Sequence, residues 1–139
     1  MVHVHVSWVN MRNKQERGSV LAELPLEIGR MPSNDICLSD RYAGISRHHA
    51  RISAETNPTG AVAITLSDRD SLNGVFIGER QITQQPIANG TQFSVGHYLL
   101  TMREAIRCQN DACHRPLQPD SNLCPWCGQF SADAHTTFL

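Results

Sequence analysis

Three segments of the sequence carry cationic and polar side chains of the kinds that surround a bound anion. They are Gly29-Arg30 leading into Ser33-Asn34-Asp35, Gly44-Ile45-Ser46-Arg47-His48-His49-Ala50 and Asp68-Arg69-Asp70-Ser71-Leu72-Asn73-Gly74. Arginine guanidinium, serine hydroxyl and asparagine amide groups supply the donors that bind phosphate oxygens and an adjacent peptide backbone. Taken singly, each segment is an ordinary surface or turn motif, and spacing along the chain does not show that the three meet.

A different chemistry is indicated near the end of the sequence, where residues 108–139 hold four of the five cysteines. They form two pairs, Cys108-x4-Cys113 and Cys124-Pro125-Trp126-Cys127-Gly128. Four thiolates suit tetrahedral Zn²⁺, and a site closed by four protein ligands is structural rather than catalytic. The segment resembles the zinc-ribbon class, in a bacterial variant with a widened first pair. The resemblance implies one structural Zn²⁺ per chain, bound by all four cysteines.

Two alternatives to this zinc site stay open. His114 follows Cys113 directly and is an alternative ligand. The other alternative is a pair of disulfides. The spacing of the cysteines and the absence of a recognisable signal peptide both favour zinc over disulfides.

The composition of the 139 residues is that of a globular protein with balanced charge. It holds 12 Lys+Arg against 13 Asp+Glu, and 40% of the residues are hydrophobic. Arg115 is the only lysine or arginine after residue 107, so no nucleic-acid partner is expected. No apolar run approaches the ~20 residues of a membrane span. We therefore expect a cytoplasmic protein without a membrane partner.

Short β-strands dominate the elements predicted for residues 1–104. Val2–Val9 is predicted to be a half-buried strand, because apolar and polar side chains alternate from Val2 to Trp8. The further strand-like runs are Ser19–Leu24, Glu27–Gly29, Ile36–Leu38, His49–Ser53, Ala61–Leu66, Val75–Ile77, Phe93–Val95 and Tyr98–Arg103. Many short strands without a helical period predict an all-β sandwich or barrel, whose loops carry its function. Cys37, between two apolar neighbours, is expected to be a packed strand thiol.

The order of the loop motifs resembles the forkhead-associated (FHA) domain family, a phosphothreonine-binding β-sandwich of two antiparallel sheets. The matching motifs are Gly29-Arg30, Ser46-Arg47-His48-His49-Ala50, Asp68-x-x-Ser71-x-Asn73-Gly74, Asn89-Gly90 and Gly96. The resemblance covers Val2 to about Arg103, and it rests on order and spacing rather than on any single motif. We expect an FHA sandwich over residues 1–104, the zinc ribbon over 105–130 and a flexible tail over 131–139.

The resemblance implies roles for five phosphopeptide-binding residues. Arg30 and Ser46 are expected to bind phosphate oxygens. Asn73 is expected to hold the ligand's main chain, and Arg47 to contact phosphate or peptide backbone. Leu72 stands where many members carry a polar residue that also reaches phosphate. The missing hydrogen bond predicts an affinity weaker by about 1.5–3 kcal/mol.

Four further residues are expected to support these loops. His49 matches a structural histidine that braces the loops, and Ser71 belongs to the same supporting set. Gly29 and Gly74 are expected to meet demands of backbone geometry.

These features together predict a signalling adaptor of a bacterial type that binds phosphothreonine in targets of a Ser/Thr protein kinase. The ribbon would contact a second partner. No nucleophile or metal-carboxylate motif accompanies His48-His49, so no enzymatic activity is expected. The alternative is a phosphate-independent scaffold that binds through the ribbon. In the tail, Thr136 and Thr137 precede Phe138-Leu139 and are predicted sites of phosphorylation by the partner kinase.

Overall fold

The computed structural model describes residues 2–39, 44–107 and 116–117. In these residues the chain forms thirteen β-strands and no helix, hence none able to cross a membrane. The strands are β1 His3–Asn10, β2 Arg17–Glu23, β3 Leu26–Gly29, β4 Ile36–Cys37, β5 Ala50–Thr56, β6 Val62–Asp68, β7 Val75–Ile77, β8 Arg80–Ile82, β9 Gln84–Ile87, β10 Gln92–Val95, β11 Tyr98–Glu104, β12 Ile106–Arg107 and β13 Pro116–Leu117.

Two main sheets enclose a shared apolar core. One has six strands in the order β2-β1-β11-β10-β7-β8, and the other has five in the order β4-β3-β5-β6-β9. Every second side chain of the strands faces inward, as for Val4 and Val6 of β1 and Ile52 of β5, all fully buried. Leu66 of β6 and Leu100 of β11 belong to the same core cluster. The predicted all-β sandwich of two sheets is confirmed.

Strands β8 and β9 were not predicted, because their sequences lack an apolar alternation. β8 reads Arg-Gln-Ile and β9 reads Gln-Gln-Pro-Ile. They exist because each pairs with a strand already in a sheet, β8 with β7 and β9 with β6. Pro86 lies on the edge strand β9, where its missing N–H group removes no ladder hydrogen bond.

The short strand β4 departs from expectation in two ways. It pairs in parallel with β3, whereas the other described strand pairs are antiparallel. The expected burial of Cys37 is also wrong, since the side chain is exposed. Successive residues of a strand point to opposite faces, and here Ile36 takes the core-facing position. The Cys37 Sγ instead donates to the carbonyl oxygen of Arg30 at 3.3 Å.

Strand β11 ends at Glu104, the residue at which the sequence places the end of the sandwich. The two-stranded unit of β12 and β13 follows. Most of the predicted ribbon and the whole predicted tail lie outside the described residues. The bounds of the ribbon, 105–130, and of the tail, 131–139, therefore stay predictions.

Candidate functional site

Three loops meet at one end of the sandwich and form a shallow cavity of about 240 Å³. The loops follow β3, precede β5 and connect β6 with β7. The residues that line the cavity are Arg30, Gly44, Ile45, Ser46, Leu72 and Asn73. Four of the five predicted binding residues are therefore brought together.

Ser46 connects two of these loops through its side chain. Its Oγ accepts a hydrogen bond from the backbone N–H of Leu72 at 3.0 Å. A hydroxyl group has one hydrogen to donate and two acceptor lone pairs. Because the bond to Leu72 uses only acceptor capacity, the Ser46 hydroxyl hydrogen can be donated to an anion in the cavity.

Arg30 lies over the same loop, directly after β3. Its backbone N–H donates to the carbonyl oxygen of Ser46 at 3.0 Å. Its Nε–H donates to the carbonyl oxygen of Ile45 at 3.3 Å. The Nε bond fixes the exposed guanidinium group, and Arg30 and Ser46 line the same cavity. A guanidinium group and a hydroxyl together are donors that suit a phosphate dianion.

Asn73 reaches across the cavity from the β6–β7 loop. The side chain is exposed. Its amide nitrogen lies 3.3 Å from the point where a Cβ on Gly44 would stand. An amide at this position can both donate to and accept from an extended peptide backbone.

Arg47 is the one predicted binding residue that does not line the cavity. Its side chain is exposed, and its carbonyl oxygen points inward toward the β3–β4 loop. That oxygen accepts from the amide of Asn34 at 2.7 Å and from the backbone N–H of Met31 at 3.3 Å. The structure therefore gives the Arg47 backbone a positioning contact.

Asn34 is a supporting residue whose role the sequence did not reveal, because it reads as an ordinary turn residue. It is only 8% exposed. Its amide nitrogen donates to the carbonyl oxygens of Arg47 and Met31, at 2.7 and 3.0 Å. Its Oδ1 therefore serves as the acceptor toward Nδ1 of His48, at 3.1 Å. No local signal predicts the contact with Arg47, since that residue is thirteen positions away.

His49 is fully buried and connects the loop before β5 with the β6–β7 loop. Its Nδ1 accepts from the backbone N–H of Ser46 at 3.1 Å, and its Nε2 lies 2.8 Å from the carbonyl oxygen of Gly74. A ring that accepts at Nδ1 and donates at Nε2 is the neutral imidazole. These contacts join the backbones on either side of the cavity.

The β6–β7 loop is held by its own side chains. Asp68 Oδ1 accepts from the backbone N–H of Ser71 at 3.0 Å, and Ser71 Oγ accepts from the N–H of Gly74 at 2.9 Å. Asp70 and Gly74 both have positive φ angles, 59° and 85°, a conformation that aspartate and glycine tolerate better than most residues. The loop therefore has a defined shape without a ligand.

Gly29 is required by close approach of two backbones. A Cβ at this position would lie 2.2 Å from the carbonyl oxygen of Arg47. Any side chain would push the β3–β4 loop away from the Ser46–Arg47 segment, and the donors that line the cavity would separate.

Several predicted site residues lie outside the described part of the chain. They are Cys108, Cys113, His114, Cys124, Cys127, Thr136 and Thr137. Among the residues that the structure describes, no group of three His, Cys, Asp or Glu side chains could hold a metal ion.

Comparison with known proteins agrees with this geometry. The sequence profile of the FHA domain matches residues 26–96, just over half of the chain and the span that contains all three loops. The chain belongs to the FHA domain family. The resemblance noted in the sequence is thereby confirmed for the sandwich.

One curated relative of this FHA domain is the glycogen accumulation regulator GarA of Mycobacterium tuberculosis, 33% identical over 72 residues. The match covers 52% of this chain and 40% of GarA, so the chain matches well under half of that protein.

Solved structures show the same FHA fold at lower identity. One is an FHA domain from a study of phosphothreonine-dependent interactions, with 22% identity and a TM-score of 0.53 over 71% of this chain and 95% of that chain. Another is Mycobacterium tuberculosis EmbR in complex with a low-affinity phosphopeptide, with 22% identity and a TM-score of 0.52 over 71% of this chain and 24% of EmbR. At this level of identity the likeness shows the fold alone.

Proposed function

We propose that this FHA domain binds phosphothreonine-containing peptides and acts as a non-catalytic signalling adaptor for targets of a Ser/Thr protein kinase. Arg30 and Ser46 bind the phosphate, and Asn73 holds the peptide backbone. The observation that carries the proposal is the Ser46 hydroxyl, which is held by the N–H of Leu72 in a cavity shared with Arg30 and Asn73. Because protein kinases form phosphothreonine, a Ser/Thr kinase would act on the target before this domain binds it.

Calorimetry tests the proposal with a phosphothreonine peptide selected from an oriented library and with its unphosphorylated twin. We expect binding of the phosphorylated peptide only. Arg30→Ala should weaken binding by at least about 2 kcal/mol, because it removes a charge-assisted contact. Arg69→Ala is the matched control, since Arg69 is an exposed arginine of the neighbouring loop that does not line the cavity. Equal binding of the twin peptides would favour the phosphate-independent scaffold.

We also propose that Cys108, Cys113, Cys124 and Cys127 hold one structural Zn²⁺. Strands β12 and β13 pair as Ile106 with Leu117 and Arg107 with Pro116. Residues 108–115, which lie between these two strands in the sequence, include the first cysteine pair. The pairing supports the proposal, because a zinc knuckle takes two thiolates from a short connection between paired strands. The metal would stabilise a segment too small to form a core, and the segment would contact a second protein.

A third proposal concerns the threonines near the end of the chain. Phosphorylation of Thr136 or Thr137 would add a charge of about −1.5 to −2, which the Arg30 site could bind in the same chain or in a second copy. The test is mass spectrometry after kinase treatment, followed by solution mass of the protein and of its Arg30→Ala variant. A phosphorylated tail that changes neither assembly nor peptide affinity would contradict the proposal.

The cytoplasmic location remains a prediction from sequence.

A further inference from the structure

Leu72 is the most exposed large hydrophobic residue in the described part of the chain. It is 90% exposed, compared with 54% for Val62, 50% for Met11 and 38% for Met31. Isolated apolar residues on a protein surface are common and need no explanation. Leu72 differs in its place, because it lines the same cavity as Arg30, Ser46 and Asn73.

The exposure of Leu72 does not come from a loose loop. Its own backbone N–H is bonded to Ser46 Oγ at 3.0 Å. On one side Ser71 is tied to Asp68, and on the other the Gly74 carbonyl oxygen is tied to the buried ring of His49. The backbone of Leu72 is therefore fixed from three directions, while almost the whole side chain remains in solvent.

A fixed apolar side chain at the rim of a binding cavity favours contact with an apolar part of the ligand. The contact removes hydrocarbon surface from water on both partners. The ordering cost on the protein side is small, because the loop is already held by its own hydrogen bonds. A charged or amide side chain of the ligand would instead lose part of its hydration against Leu72 without gaining a hydrogen bond.

We propose that Leu72 selects phosphopeptides that carry an apolar side chain close to the phosphothreonine. The inference rests on the phosphopeptide binding proposed above and specifies its substrate class. Leu72 lies between Ser71 and Asn73, and its N–H is bonded to the serine that would bind the phosphate. The contacted side chain is therefore expected within about three residues of the phosphothreonine, or roughly 10 Å of extended chain.

The test is a set of phosphothreonine peptides in which leucine or glutamine is placed in turn at each nearby position. Glutamine is polar and uncharged, so the comparison excludes effects of the arginines around the cavity. At one position we expect the wild-type protein to bind the leucine peptide about fivefold more tightly. Leu72→Ala should reduce that ratio to about one, whereas Leu72→Met, which keeps a long apolar side chain, should retain it.

Val62→Ala is the matched control for these variants. Val62 is the next most exposed apolar residue, and it begins β6, whereas the loop of Leu72 follows the other end of that strand. Its variant should keep the wild-type ratio. Tight phosphate-dependent binding with the same leucine-to-glutamine ratio in wild type and Leu72→Ala would overturn the inference and leave the proposed function intact. Absence of phosphate-dependent binding in the wild type would overturn both.

Discussion

His49 shows how a single buried side chain can set the geometry of a site that it does not enter. Its ring accepts the N–H of Ser46 and donates to the carbonyl of Gly74. It therefore fixes the backbones of two loops at once. Unlike the roles proposed for Arg30 and Asn73, this role needs no contact with a ligand.

We expect His49→Ala to lower the free energy of unfolding by about 2–4 kcal/mol, because it leaves a cavity and two unpaired backbone groups. Phosphopeptide affinity should fall with it. His48→Ala is the matched control, since the neighbouring ring is exposed and has one described hydrogen bond, to Asn34, and should cost about 1 kcal/mol or less. Urea unfolding and calorimetry measure both quantities. Equal losses in the two variants would contradict the bracing role.

At the scale of elements, Tyr98 joins three parts of the sandwich. It begins β11 and is 2% exposed. Its hydroxyl donates to the carboxylate of Glu16, just before β2, and accepts from the backbone N–H of Ser39 at 3.2 Å. Glu16 also accepts from Asn10 at the end of β1, at 3.1 Å. Ser39 follows β4 of the five-stranded sheet, so this network connects that sheet with strands of the six-stranded one.

The Tyr98 network predicts a specific pH dependence of stability. Burial, and then the carboxylate of Glu16, raise the pKa of Tyr98 from 10.0 to about 12. Between these values the unfolded chain releases the phenolic proton while the folded protein keeps it. The stability contributed by Tyr98 is therefore complete below about pH 10 and is lost by up to about 1.4 kcal/mol per pH unit as the pH rises toward 12.

Denaturant unfolding of the wild type and of Tyr98→Phe over this pH range measures the effect. The variant lacks the phenolic hydrogen bonds, so it should be less stable near neutral pH by about 1.5–3 kcal/mol. The difference between the two proteins should narrow above about pH 10. A constant difference across the range would show that Tyr98 does not titrate as proposed.

At the scale of the whole molecule, the sandwich carries its own core. The buried apolar residues extend from Val4 to Met102 and belong to one cluster. A sandwich of this size can fold on its own core. A piece of about 30 residues, such as the predicted ribbon over 105–130, seldom folds without a metal or disulfides.

We expect one Zn²⁺ per purified chain, and chelation should unfold residues 105–130 while the sandwich and its phosphopeptide affinity persist. Metal analysis, limited proteolysis and calorimetry before and after chelation test this. Cys124→Ser should lose the metal, whereas Cys37→Ser, the exposed cysteine of β4, should keep it. A chain without metal and with oxidised cysteine pairs would instead support disulfides.

Local patterns were sufficient for much of the sandwich. The alternation at Val2–Val9 corresponds to β1, and Val75–Ile77 is β7 with the predicted bounds. Such strands are predictable because period-two burial is written in consecutive residues. The polar strands β8 and β9 were not predictable in this way, because pairing with β7 and β6 decides their conformation. The exposure of Cys37 likewise follows from which residue of a two-residue edge strand faces the core.

For the site, the residue types, their order and the family resemblance could all be obtained from the sequence. The sequence could not show that one cavity is lined by Arg30, Ser46, Leu72 and Asn73 while the side chain of Arg47 stays outside it. The reason is that these residues belong to three loops, and their separations depend on how the two sheets pack. The support from Asn34 was hidden for the same reason, because its bond to the Arg47 carbonyl exists only once the β3–β4 loop has folded against the next segment.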